Sequence, residues 1–186
     1  MKSFFDFSER FGARTGGYRD LMSRQVHHVM LVSSLYESFI LAEDGQLHEK
    51  VLRKFIEASP REPPALTRVS SGREALKILE SGHRRVDLIV TSPDIGDMSA
   101  TDLAQSVTDG GYDVPLAILA YDREELRGIE ETGGHPNILG RFLYQGDAGI
   151  LLAIVQLVED RLNVERDTRI GVPVFLVVED NVRFYS

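Results

Sequence analysis

Short, continuously apolar stretches alternate with amphipathic helical stretches along most of this chain. Stretches typical of buried strands, rich in branched aliphatic residues and bounded by polar or glycine-containing segments, lie at 26–32, 65–70, 86–92, 114–121 and 137–144. Continuously apolar strands separated by helices indicate a parallel sheet that is covered on both faces. The pattern therefore predicts an α/β fold with a five-stranded parallel, doubly wound sheet in the flavodoxin-like order 2-1-3-4-5.

The helical stretches carry recognisable end signals. Ser71 with Glu74, and Ser99 with Asp102, have the spacing of a capping box, in which two side chains satisfy the free N–H groups at a helix start. Further helices are predicted over 36–42, 47–58 and 122–134. A long last helix with its linker is predicted over 147–170, and the residues expected to extend beyond the sheet are Val158, Leu162 and Glu165.

Charge and cysteine content narrow the functional classes. The chain has 186 residues, a formal net charge of −8 and no cysteine. The acidic balance argues against broad binding to nucleic acid or anionic membranes, both of which need a basic face. Disulfides, thiolate metal sites and a cysteine nucleophile are excluded. No apolar run approaches the ~20 residues that span a bilayer, so the expected location is the cytoplasm.

The beginning of the chain is expected to lie outside the sheet. Residues 1–25 interleave basic residues with phenylalanines and are predicted to form an N-terminal arm, followed by the domain at 26–150. This arm either covers its own domain or contacts a partner.

The end of the chain repeats the first strand. "FLVVEDN" echoes "VMLVSS", which aligns Ser33 and Ser34 with Glu179 and Asp180. Internal similarity at domain spacing predicts that 173–186 is the first strand of a second, truncated domain copy. The alternative is a sixth strand of the first sheet.

Several short sequence segments occur together in an order that is typical of one protein family. They are "SGREALKILESGHRRVDLIV" at 71–90, "DM" at 97–98, "VPLAILAY" at 114–121 and "EDN" at 179–181. With them, the chain over 26–165 resembles response-regulator (CheY-like) receiver domains of bacterial two-component and phosphorelay signalling. The resemblance implies two acidic residues after the first strand that hold Mg²⁺, and a nucleophilic aspartate after the third. It further implies a hydroxyl and a lysine, after the fourth and fifth strands, that bind the phosphoryl oxygens.

This chain departs from the family at every one of those positions. The acidic pair corresponds to Ser33 and Ser34, the nucleophile to Ser92, the hydroxyl to Ala120 and the lysine to Arg141. The resemblance therefore implies a degenerate pseudo-receiver that is not an enzyme, with no catalytic residue, bound metal or cofactor. In the predicted second receiver, Glu179 and Asp180 would keep the acidic pair.

Two alternatives remain open. A shifted acidic cluster of Asp94, Asp97 and Glu37 would restore phosphorylation, although loop and cap carboxylates in water explain the same residues. A nucleotide or flavin would occupy the crevice where strand order reverses, although no glycine-rich phosphate loop follows a strand.

The histidines are scattered and predict no metal site, since His27 and His28 lie on opposite faces of a strand.

The resemblance predicts an interaction or regulatory module of a bacterial multidomain signalling protein. Its expected partners are proteins: an adjacent receiver, a catalytic module, or a second copy bound through the last helix. Neither nucleic acid nor membrane is expected. The phrase "FSERFGARTGGYRDLM" also resembles bacterial proteins that place receiver-like modules before a phosphoenolpyruvate-synthase-like, ATP-binding enzyme.

Overall fold

The computed structural model describes residues 23–34, 53, 62–125, 127, 135–145 and 149–169. The strands are β1 His28–Val32, β2 Ala65–Val69, β3 Leu88–Thr91, β4 Leu116–Ala120 and β5 Ile138–Leu143. The described helices are α1 Gly72–Ser81, α2 Ala100–Asp109 and α3 Gly149–Arg169. The strands pair in parallel in the order β2-β1-β3-β4-β5, which confirms the predicted sheet and its long last helix.

Several predicted segments lie wholly or largely outside the described residues. They are the helices at 36–42, 47–58 and 122–134, most of the arm at 1–25, and the strand of a second copy at 173–186.

Two apolar clusters cover the faces of the sheet, because successive strand residues point to opposite sides. On one face Leu31 and Val90 pack with Ile154 of α3. On the other face Met30 and Ile89 pack with the helices α1 and α2. Burial on both faces explains why the central strands β1, β3 and β4 are almost continuously apolar, whereas the edge strands β2 and β5 are less buried and contain Arg68 and Arg141.

The helix starts follow the predicted capping chemistry, with one difference. In α2 the Ser99 hydroxyl accepts from the Asp102 N–H at 3.1 Å, and the Asp102 carboxylate accepts from the Ser99 N–H at 3.2 Å. The bonds from the hydroxyl and the backbone N–H of Ser99 lower the pKa of Asp102. In α1 Ser71 accepts from the Glu74 N–H, but the Glu74 carboxylate accepts from the N–H of Ser70 instead of Ser71. The second half of the predicted box is therefore displaced by one residue.

The prediction for α3 was wrong at one position. Val158 is 1% exposed and belongs to the same apolar cluster as Val26, so it lies within the part of the helix that covers the sheet. Leu162, at 37% exposure, and Glu165 are exposed as predicted. Val158 is buried because this part of α3 belongs to the apolar cluster on the sheet, to which Val26, before β1, also contributes.

Candidate functional site

The predicted serine positions meet at the carboxyl ends of β1 and β3. Val32 and Thr91 are paired in the sheet, so the next residues, Ser33 and Ser92, leave the sheet side by side. The Ser92 N–H donates to the Val32 carbonyl at 3.0 Å. Ser33 is 8% exposed and Ser92 is 3% exposed, whereas Ser34 is half-buried. The structure therefore brings these residues into one crevice, because they directly follow two neighbouring parallel strands.

The hydroxyl groups of this crevice are bonded to nearby carbonyls. The Ser92 O–H donates to the Asp94 carbonyl at 3.1 Å, and the Thr91 O–H donates to the Ser92 carbonyl at 3.1 Å. A serine becomes a nucleophile when an adjacent base accepts its proton. A backbone carbonyl is not such a base, so the described geometry leaves Ser92 unactivated.

The remaining two positions lie differently relative to Ser92. Ala120 is fully buried at the end of β4, where a methyl group offers no bond to a phosphoryl oxygen. Arg141 pairs with Ile118, which in turn pairs with Thr91, so Arg141 lies one residue short of the row that contains Ser92. Its Nε atom is buried and has no hydrogen-bond partner among the described residues. On β5 the residue level with Ser92 is Phe142, which pairs with Leu119 of β4.

The acidic residues after Ser92 are held by backbone groups. The Asp97 carboxylate accepts from the N–H groups of Gly72 and Arg73 at 2.8 and 3.1 Å, which caps the start of α1. The Asp94 carboxylate accepts from the Gly96 N–H at 2.8 Å and closes a local turn. Within the described ranges no three His, Asp or Glu side chains are grouped so that they could hold a metal ion. Glu37, the third member of the shifted cluster, lies outside those ranges.

Met98 completes the attachment of this loop to α1. A Cβ atom on Gly72 would lie 2.3 Å from the Met98 sulfur, so the absence of a side chain at Gly72 is what admits Met98. Together with the bonds to Asp97, this contact fixes the loop after Ser92 against the next helix. The "DM" phrase therefore has a structural function that its sequence alone did not reveal.

Replacing Asp97 is expected to weaken the fold in a pH-dependent way. Partial burial raises the pKa of Asp97, but the bonds from Gly72, Arg73 and its own N–H, together with the Arg73 charge, lower it below 3.8. Because the folded state has the lower pKa, the stabilisation is complete above the unfolded pKa and is lost as pH falls through the folded one. We expect Asp97→Ala to lower the free energy of unfolding by about 1 kcal/mol at neutral pH.

Urea unfolding across pH measures this effect. The difference between Asp97→Ala and the unmodified chain should begin to shrink below pH ~4, near the pKa of an unfolded aspartate, and should vanish once the folded carboxylate is also protonated. Asp113→Ala is the matched control, since Asp113 is an exposed loop aspartate. Equal effects of the two substitutions, or a difference that does not change with pH, would contradict the capping role of Asp97.

His28 is a buried polar residue with a structural function. Its Nε2 lies 2.7 Å from the Thr67 hydroxyl and its Nδ1 lies 3.1 Å from the Arg85 carbonyl. The Asp87 carboxylate accepts from the N–H groups of His27 and His28, and also pairs with Arg85 at 3.0 Å. These contacts tie the starts of β1, β2 and β3 together at the edge opposite the crevice.

Solved structures similar to this chain include response-regulator receiver domains. The receiver domain of an HD domain-containing protein from Pseudomonas fluorescens is 21% identical, with a TM-score of 0.56 over 77% of this chain and 94% of that one. A receiver domain from Clostridium thermocellum is 17% identical, with a TM-score of 0.53 over 74% and 98% of the two chains. One from a putative LuxO repressor of Vibrio parahaemolyticus is 18% identical, with a TM-score of 0.52 over 78% and 98%.

At these identities the likeness establishes the fold. No protein-family model and no curated protein matches the sequence. The described part of the chain thus has the receiver-domain fold, which confirms the resemblance at the level of architecture. Of the helices in the described ranges, none is both long and apolar enough to cross a lipid bilayer.

Proposed function

We propose that this chain is a receiver-like module that does not accept a phosphoryl group and acts through contacts with other proteins. The observation that carries the proposal is the chemistry at Ser92. A buried serine, whose O–H donates to the Asp94 carbonyl, stands at the position where the family has an aspartate. Ser33 and Ser34, at the positions of the acidic pair, supply no negative charge to attract Mg²⁺.

The neighbouring groups support the same proposal. Asp97 is engaged at the start of α1, so the shifted acidic cluster has no described carboxylate free of a structural bond. Ala120 offers no hydroxyl, and Arg141 lies one residue back from the row of Ser92. The residue types with which receiver domains transfer a phosphoryl group are therefore missing from the corresponding positions of this chain.

Incubation with acetyl phosphate and Mg²⁺, followed by intact-mass spectrometry, tests this proposal. We expect the mass of the chain to remain unchanged, because no exposed nucleophile among the described residues lies beside a group of acidic side chains that could hold a cation. A receiver that retains its aspartate, treated in parallel, is the positive control. A mass gain of one phosphoryl group that maps to Ser92, Asp94 or Asp97 would contradict the proposal.

Within this proposal the module belongs to a cytoplasmic, bacterial multidomain signalling protein and is not itself an enzyme. Its partners are an adjacent receiver, whose acidic pair is Glu179 and Asp180, a catalytic module, or a second copy of the chain. Leu162 and Val164 are exposed apolar residues on α3. They are two positions apart and so lie on opposite sides of the helix. They form no continuous seam, and therefore do not favour a helix-paired homodimer over contact with a neighbouring domain.

A further inference from the structure

The residues before β1 run along the second half of α3. We call Ser23–Val26 the strap. The side chain of Asn163, which is 1% exposed, accepts from the Arg24 N–H at 2.9 Å and donates to the Arg24 carbonyl at 2.7 Å. The same amide also donates to the Glu159 carbonyl at 2.7 Å. Asn163 thus pairs with the strap backbone as a neighbouring strand would, while it remains bonded to its own helix.

Contacts on either side of Asn163 extend this attachment. The Glu159 carboxylate accepts from the Val26 N–H at 3.0 Å, and Val26 is buried in the cluster that contains Val158. At the other end Arg166 donates to the Ser23 hydroxyl. The strap therefore contacts α3 along two helical turns, from Glu159 to Arg166.

Little else in the described structure holds this part of the helix. The residues of α3 up to Val158 are fixed by apolar packing on the sheet. Beyond Val158 the buried residues of α3 are both polar, Asn163 and Asp167, and Leu162 and Val164 are exposed. A helix end without apolar packing depends on polar contacts, and its backbone bonds open at low free-energy cost when those contacts are lost.

We propose that the strap and the second half of α3 form one conformational unit, so that displacing the strap releases the helix after Glu159. The consequence is a physical link between the strap and the end of α3, so that a displacement beginning at Ser23 reaches Arg169. This inference goes beyond the proposed function, because it does not depend on the state of Ser92.

Hydrogen–deuterium exchange on the full chain tests the link by removal of the side chain that joins the strap to the helix. In Asn163→Ala, we expect the N–H groups of 163–169 and of Val26 to exchange about tenfold faster, the factor that corresponds to about 1.4 kcal/mol. The Val26 bond to Glu159 is not itself removed, so its exchange reports the strap as a whole. Asp160→Ala, at an exposed position on the same helix, should leave the strap unchanged. If the strap alone exchanges faster while the helix keeps its rates, the proposal is wrong.

A second variant tests the link from the helix side and does not touch a buried residue. Val164→Gly weakens the helix at an exposed position, and Val164→Ala is its matched control. We expect the glycine variant, and not the alanine variant, to speed exchange at Arg24 and Val26. Protection of Ile118 in β4 should be retained in every variant, which shows that the domain stays folded. Faster exchange in the helix with an unaffected strap would overturn the proposal.

Discussion

Ser92→Asp is expected to destabilise the domain by about 3 kcal/mol at neutral pH, even though it restores the residue that receiver domains use. The side chain at this position is 3% exposed, and its present partner is a carbonyl, which repels a carboxylate. A buried charge without a counter-ion is expensive. The nearest cationic residue in the sheet register is Arg141. It is level with Thr91, through Ile118, and so lies one residue before Ser92.

The contribution of charge is separated from that of size by Ser92→Asn. Asparagine has nearly the shape of aspartate but carries no charge, so it should cost much less. The cost of the aspartate should also decrease at low pH, where the buried carboxyl is protonated. Urea unfolding at two pH values measures both effects. Equal costs for the two variants would mean that packing, not charge, limits this position.

Adding two further acidic residues to the Ser92→Asp variant is expected to create a magnesium-binding site. In Ser33→Glu/Ser34→Asp/Ser92→Asp the first two substitutions copy the pair found at Glu179 and Asp180. Since Ser33 and Ser92 leave adjacent strands side by side, three carboxylates would converge on one point in the crevice. Carboxylate oxygens are the ligands that Mg²⁺ prefers.

Thermal unfolding with and without Mg²⁺ measures the gain. Saturating Mg²⁺ should stabilise the triple variant by roughly 2.7 kcal/mol at one hundred times its Kd. The single variant Ser92→Asp should not respond, because its carboxylate stands without the acidic pair. A response of the single variant equal to that of the triple one would show that other carboxylates, such as Asp94 or Asp97, already complete a metal site.

Local patterns were sufficient to predict the sheet and the helix caps. The three central strands β1, β3 and β4 are almost entirely apolar, and the caps at Ser71 and Ser99 depend on residues three positions away. The crevice was also predictable, since the carboxyl ends of neighbouring parallel strands meet at one edge. Ser33 and Ser92 directly follow two such strands and therefore share that edge.

Contacts between distant segments were not predictable from the same patterns. Asp97 reads as an ordinary loop carboxylate, and nothing local to it specifies the N–H groups of Gly72 and Arg73. The strap depends on the pairing of Arg24 with Asn163, which lies far along the chain. A polar residue in the apolar pattern of α3 was the available signal, but it does not identify its partner.

Within the described residues the crevice lacks the group of anionic oxygens that could hold a divalent cation, and an NMR titration of the unmodified chain with millimolar Mg²⁺ tests this most directly. The amide resonances of Ser33, Ser34 and Ser92 should show no saturable change, while the triple variant, titrated in parallel, should show one. Saturable shifts at these three amides in the unmodified chain would contradict the account.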